Sequence, residues 1–72
     1  MDLNGFDAQL YDNLRTLVLN NELGEDAPAY DIAMQVVRRG YLSLPRAERF
    51  IYQEEVVERL RKRGLTAGRD RG

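Results

Sequence analysis

The spacing of apolar residues along the chain predicts three amphipathic helices. In each of three segments the apolar residues recur at steps of three and four, the period that places them on one face of an α-helix. Glycines and prolines separate the segments, and no stretch alternates apolar and polar residues as a half-buried strand does. We therefore predict helices over roughly residues 5–23, 28–39 and 45–63.

The first two segments have apolar faces of different width. The face of the first segment consists of Phe6, Leu10, Leu14, Leu17 and Val18. Leu19 falls opposite this face. The second segment is apolar over a wide arc, which indicates the central helix; the arc consists of Ala29, Tyr30, Ile32, Ala33, Val36 and Val37. Short connections between amphipathic helices favour antiparallel neighbours. The predicted fold class is all-α, a compact three-helix bundle within residues 1–64.

The third segment contains two charged residues where a core face is expected. On a helical wheel its apolar face consists of Ala47, Phe50, Ile51, Val57 and Leu60, flanked by Val56 and Tyr52. Glu54 falls inside this arc, and Arg61 lies one heptad further on the same side. A carboxylate in a core is costly unless it reaches water or a cation. Either both side chains flank an open end of the groove between the helices and reach solvent, or they make charged contacts in a dimer or partner interface.

Charge is distributed unevenly along the chain, although the net charge is only −1. Residues 1–37 hold seven acids and one base, whereas residues 38–72 hold ten bases and five acids. In the third segment, Glu55–Arg59 and Glu58–Lys62 are spaced for ion pairs along a helix. Residues 65–72 have no periodic apolar face, which predicts a flexible basic tail. We expect a polarised body whose two ends prefer partners of opposite charge.

The composition excludes several kinds of chemistry. The chain has no Cys and no His, so it offers neither a disulfide, nor the usual ligands of a zinc site, nor a Ser-His or Cys-His pair for nucleophilic catalysis. No glycine-rich loop follows a strand, as a phosphate-binding loop does. We therefore expect no enzymatic activity, no cofactor and no metal.

No basic leader with an apolar run and no apolar stretch of about 20 residues is present, so we expect a cytoplasmic protein away from membranes.

The length of 72 residues implies a thin core. Chains of this size usually gain stability from disulfides, a metal, oligomerisation or very regular helix packing. Because the first two are excluded, regular packing or a second chain remains, and a homodimer is one possibility.

Some residues at the edges of the apolar faces are candidates for contact with a partner protein. Tyr11, Leu19 and Tyr52 are large and lie near or beyond the edge of their faces, where both a core-edge position and an interface position remain open. Together with Glu54 and Arg61 they form the predicted partner-binding set.

The basic third of the chain suggests an alternative, a nucleic-acid-binding site. Its residues are Arg59, Arg61, Lys62, Arg63, Arg69 and Arg71. Six phosphate contacts give a log–log salt slope of about −5 for duplex DNA. The acidic first half and the lack of aromatics among these bases count against it. A helix-turn-helix with Arg46 and Arg49 in its recognition helix is a second way in which the chain could bind DNA. Glu48 counts against it, because this acid lies between the two bases and would face the same phosphates.

The sequence thus favours a small protein-interaction module that acts as a regulator, inhibitor or assembly factor. Its partner is a protein of unknown identity. The alternative is a nucleic-acid-binding module that uses the basic third.

Overall fold

The fold is known from a computed structural model that describes residues 6–65. Helix α1 covers Ala8–Leu19 and α2 covers Pro28–Arg39, followed by a 3-10 turn at Tyr41–Ser43. A third helix then runs without interruption through residues 46–62, as α3 (Arg46–Ile51), a π-helical segment (Tyr52–Val57) and α4 (Glu58–Lys62). No strand occurs in residues 6–65. The predicted all-α, three-helix class is confirmed, while the predicted tail lies outside the described residues except for Leu65.

Helix α1 is shorter than predicted at both ends. It begins after Asp7, whose Oδ1 accepts a hydrogen bond from the Leu10 amide at 3.0 Å. It ends because Asn21 adopts a left-handed conformation with φ of 59°, and the Glu22 amide then donates to the Leu17 carbonyl at 2.8 Å. Asn is one of the few residues that accept this conformation after a helix. The stop therefore comes before Gly24.

The three helices alternate in direction. The Asp7 amide donates to the Val37 carbonyl at 2.9 Å, which places the start of α1 beside the end of α2. The Arg63 side chain hydrogen-bonds to Glu22, which places the end of the third helix beside the residues that follow α1. The third helix therefore runs antiparallel to α2. The start of the third helix and the end of α2 share one end of the bundle. The acidic turn after α1 (residues 22–26) lies at the other end.

The core is formed by all three helices and the two connections. Helix α2 is central, as predicted, and five of its residues are buried. The buried apolar residues are Leu10, Leu14, Leu17, Leu23, Ala29, Ile32, Ala33, Val36, Val37, Leu44, Tyr52, Val56 and Leu60. Each is at most 8% exposed. Of the predicted faces, those of α1 and α2 are thus largely confirmed, except that Phe6 is 40% exposed.

The third helix buries a different face from the one its wheel predicts. Tyr52, Val56 and Leu60, spaced by four, are buried, whereas Phe50 is 66% and Ile51 36% exposed. Ala47 is exposed as well. The predicted core position is wrong for these three residues. Within the π-helical segment the hydrogen bonds join residues five apart, which widens the turn, so side chains four apart lie nearly above one another. That widening keeps the buried face aligned with α1 and α2.

Candidate protein-binding face

The outward side of the third helix carries a row of exposed residues. The outer stripe, as we call it, consists of Ala47, Phe50, Ile51 and Glu54, at steps of three, one and three residues. None of the residues of α3 is buried, so this part of the helix lies outside the core. Phe50 is the most exposed aromatic residue of the described chain, at 66%. The stripe is therefore an apolar surface with a carboxylate at its end.

The opposite side of α3 is held by Arg49. Its Nε donates to the Leu44 carbonyl at 3.0 Å, and its Nη2 donates to the Leu42 carbonyl at 3.3 Å. The guanidinium carbon also lies 5.6 Å from the centre of the Tyr41 ring, within the range of a cation–π interaction. These contacts bind the start of the third helix to the 3-10 turn. They leave the side with Phe50 facing solvent.

Tyr52 belongs to the core. It is 2% exposed, and its ring centre lies 5.9 Å from that of Tyr41. Burial raises the pKa of its hydroxyl, and the nearby Asp7 and Tyr41 raise it further. Of the two interpretations of this residue, the core position is therefore right, and Tyr52 offers no surface to a partner. Its place in the predicted partner-binding set is corrected accordingly.

The other predicted partner-binding residues lie at separate places. Tyr11 is half-buried against the core, with its ring 6.1 Å from that of Phe6. Leu19 is 72% exposed at the far end of the bundle from Phe50. Arg61 is exposed and pairs with Glu58 at 3.3 Å. Only Glu54 lies on the outer stripe, so the structure does not bring the predicted set together as one site.

The basic residues at the end of the third helix are largely paired with acids. Arg59 pairs with Glu55 at 3.4 Å, as predicted, and Arg61 pairs with Glu58. The Nε of Arg63 donates to Oε2 of Glu22 at 2.9 Å. This hydrogen bond lowers the pKa of the Glu22 carboxyl and raises that of the Arg63 guanidinium.

Two consequences follow for the predicted nucleic-acid site. Of its four described bases, Lys62 is the one for which residues 6–65 supply no ion pair. The other two, Arg69 and Arg71, lie outside the described residues. In addition, the basic helix end and the acidic turn after α1 meet at one end of the bundle. The acidic and basic parts of the sequence thus lie next to each other in the fold. The predicted separation of an acidic end from a basic end is therefore wrong at this end of the bundle.

A shallow groove of about 560 Å³ runs along the outer side of α2. Its lining residues are Tyr30, Asp31, Met34, Gln35, Arg38 and Arg39. They all belong to one helix, which makes the groove an open surface rather than an enclosing cleft.

Within residues 6–65 no group of three acids could hold a metal ion. None of the helices in this part of the chain has the length and apolar character of a membrane span.

Comparisons of the chain with protein-family models, with curated proteins and with solved structures found no match.

The outer stripe is not among the sites that the sequence predicts, because its apolar residues are there assigned to the core. One signal in the sequence could have revealed it. Glu54 lies at the centre of the supposed core arc, and an unpaired carboxylate is costly there. A second apolar row, Tyr52, Val56 and Leu60, was available on the other side of the same helix. Turning the helix to bury this row places Glu54 in water.

Proposed function

We propose that this protein acts without enzymatic chemistry, by binding another protein through the outer stripe, as a regulator, inhibitor or assembly factor. The observation that carries the proposal is the 66% exposure of Phe50 on a helix whose other side is buried. Single exposed apolar residues are ordinary on protein surfaces. Here Ala47 and Ile51 extend the exposed aromatic into a continuous apolar row on one face of a helix.

The spacing of the outer stripe supports recognition by a helix. Ala47, Phe50, Ile51 and Glu54 occupy positions i, i+3, i+4 and i+7, the pattern by which a helix lies in an apolar groove or against another helix. Aromatic residues supply much of the binding energy in such contacts when they fill a pocket, while charged residues stay at the rim. Phe50 is thus the anchor of the stripe, and Glu54 is a rim residue.

Binding of nucleic acid has weaker support. A phosphate would have to displace Glu55, Glu58 or Glu22 from the guanidinium that each of them pairs with. Arg49, a residue of the helix-turn-helix interpretation, uses its donors on the Leu44 and Leu42 carbonyls. We therefore place the protein partner first.

The test is affinity capture with matched variants. The wild-type chain, Phe50→Asp and Leu19→Asp are immobilised, incubated with nuclease-treated lysate of the source organism, and the bound proteins are identified by mass spectrometry. Leu19 is the control, since it is also an exposed apolar residue but lies at the other end of the bundle. We expect one or more proteins to be retained by wild type and Leu19→Asp and lost with Phe50→Asp.

The same experiment can overturn the proposal. If Phe50→Asp retains the same proteins as wild type, the outer stripe is not the binding surface. Retention that requires untreated lysate and depends on nucleic acid favours the alternative. Circular dichroism of each variant verifies that the helices are intact, which the exposure of both positions leads us to expect.

A further inference from the structure

We propose that the partner on the outer stripe is a second copy of this chain, paired antiparallel about a two-fold axis at Phe50. The inference rests on the proposed function, because it names the partner of the same surface. It goes further in assigning the orientation of the two helices and the charged residues that fix it.

The charges around Phe50 are arranged for self-pairing. Arg46 lies four residues before Phe50 and Glu54 lies four residues after it. Both are exposed, and residues 6–65 provide neither of them with an ion pair. An antiparallel pair centred on Phe50 puts Arg46 of each copy level with Glu54 of the other copy, twice by symmetry. A parallel pair puts like charges level with each other. The antiparallel pair is therefore the favoured one.

The apolar residues of the stripe fit the same arrangement. A two-fold interface uses one patch on both copies, so the patch must be complementary to itself. With the axis at Phe50, the two Phe50 rings meet at the centre and Ile51 covers them. Ala47 has a small side chain, which allows the two helices to approach each other closely. The result is an apolar centre between two pairs of opposite charges.

The size of the outer stripe sets the strength of the proposed dimer. The stripe extends over about two turns of helix, so the buried area falls at the low end of specific interfaces, below about 1,200 Å². We therefore expect a reversible dimer whose Kd lies on the order of 10–100 μM at low salt.

Sedimentation equilibrium of the full chain tests the inference. Wild type is compared with Arg46→Glu, Glu54→Arg and the double variant that carries both changes. We expect each single reversal to weaken dimerisation by about 10-fold or more, because it places like charges level, and the double variant to restore it to within about 3-fold. Phe50→Asp should be monomeric throughout. Arg38→Glu, which changes an exposed base on α2, serves as the control with unchanged dimerisation.

Two results overturn the inference. The first is a wild-type chain that stays monomeric up to about 1 mM at low salt, a concentration well above the expected Kd range. The second is a double variant that dimerises no better than the single variants, since the two residues then do not face each other. A monomeric wild type whose capture of another protein is lost with Phe50→Asp refutes the second copy but upholds the proposed function.

Discussion

Arg46 and Arg49 lie three residues apart on the same helix and have different roles. Arg49 is partly buried, donates to two carbonyls of the preceding connection and lies over the Tyr41 ring. Arg46 is exposed and makes no such contact with the described residues. From the sequence alone, the two are equivalent bases near the start of a helix. Residue type and spacing do not show that the Leu44 and Leu42 carbonyls lie within reach of Arg49.

This difference predicts unequal effects of substitution on stability. Arg49→Ala should lower the free energy of unfolding by about 1–2 kcal/mol, since two hydrogen bonds from a charged donor and a cation–π contact are lost. Arg46→Ala should stay within about 0.5 kcal/mol of wild type, as for most surface changes. Urea unfolding followed by circular dichroism measures both. Equal effects of the two changes would show that Arg49 does not hold the helix start.

Ion pairs along the helix show how far residue spacing predicts contacts. The pair Glu55–Arg59 forms as its spacing indicates. Glu58 instead pairs with Arg61, three residues on, rather than with Lys62. Spacing thus limits an exposed acid to a few neighbours, and the choice among them is decided by side-chain conformation on the folded helix.

At the scale of elements, α2 was predicted best. Its bounds, residues 28–39, match the prediction because Pro28 and Gly40 mark its ends and apolar residues cover most of its circumference. A helix that is apolar over so wide an arc has little choice about which side to bury. Its central position followed for the same reason.

The third helix shows where the sequence is insufficient. It carries apolar residues on two sides, and the local pattern gives no reason to prefer Phe50 and Ile51 or Tyr52 and Val56 as the buried pair. The choice is made by contact with α1 and α2, which are distant in sequence. The candidate site depended on this choice, so it could be predicted only in part, through Glu54.

At the scale of the whole molecule, the two charged halves of the sequence come together. Glu22 and Arg63 are 41 positions apart, and their contact joins the connection after α1 to the end of the third helix. Net charge by halves treats the sequence as if it were extended. In a bundle of alternating helices, the acidic turn after the first helix and the basic end of the third are neighbours.

The Glu22–Arg63 contact predicts a pH dependence of stability. Its hydrogen bond holds the pKa of Glu22 below the ordinary value of 4.5, so the folded state favours the ionised carboxylate. The resulting stabilisation is present above pH 4.5 and is lost as the pH falls through the lowered pKa of the folded state. Glu22→Gln should therefore lower the Tm at neutral pH, and its difference from wild type should shrink in acid.

Thermal unfolding across the acidic range measures this difference. Glu25→Gln removes an exposed acid from the same turn and serves as the control for net charge. A Tm difference between Glu22→Gln and wild type that is the same at acidic and neutral pH would exclude a role for the ionised pair.

All proposals for this molecule depend on which side of the third helix is buried, and one pair of substitutions decides it. Tyr52→Ala and Phe50→Ala remove aromatic rings two residues apart, and urea unfolding is measured at about 1 μM, below the expected Kd range, where the chain is monomeric. We expect Tyr52→Ala to cost about 3 kcal/mol or more, as in a core, and Phe50→Ala to stay within about 0.5 kcal/mol. A large loss for Phe50→Ala with little effect of Tyr52→Ala would place Phe50 in the core and contradict the outer stripe.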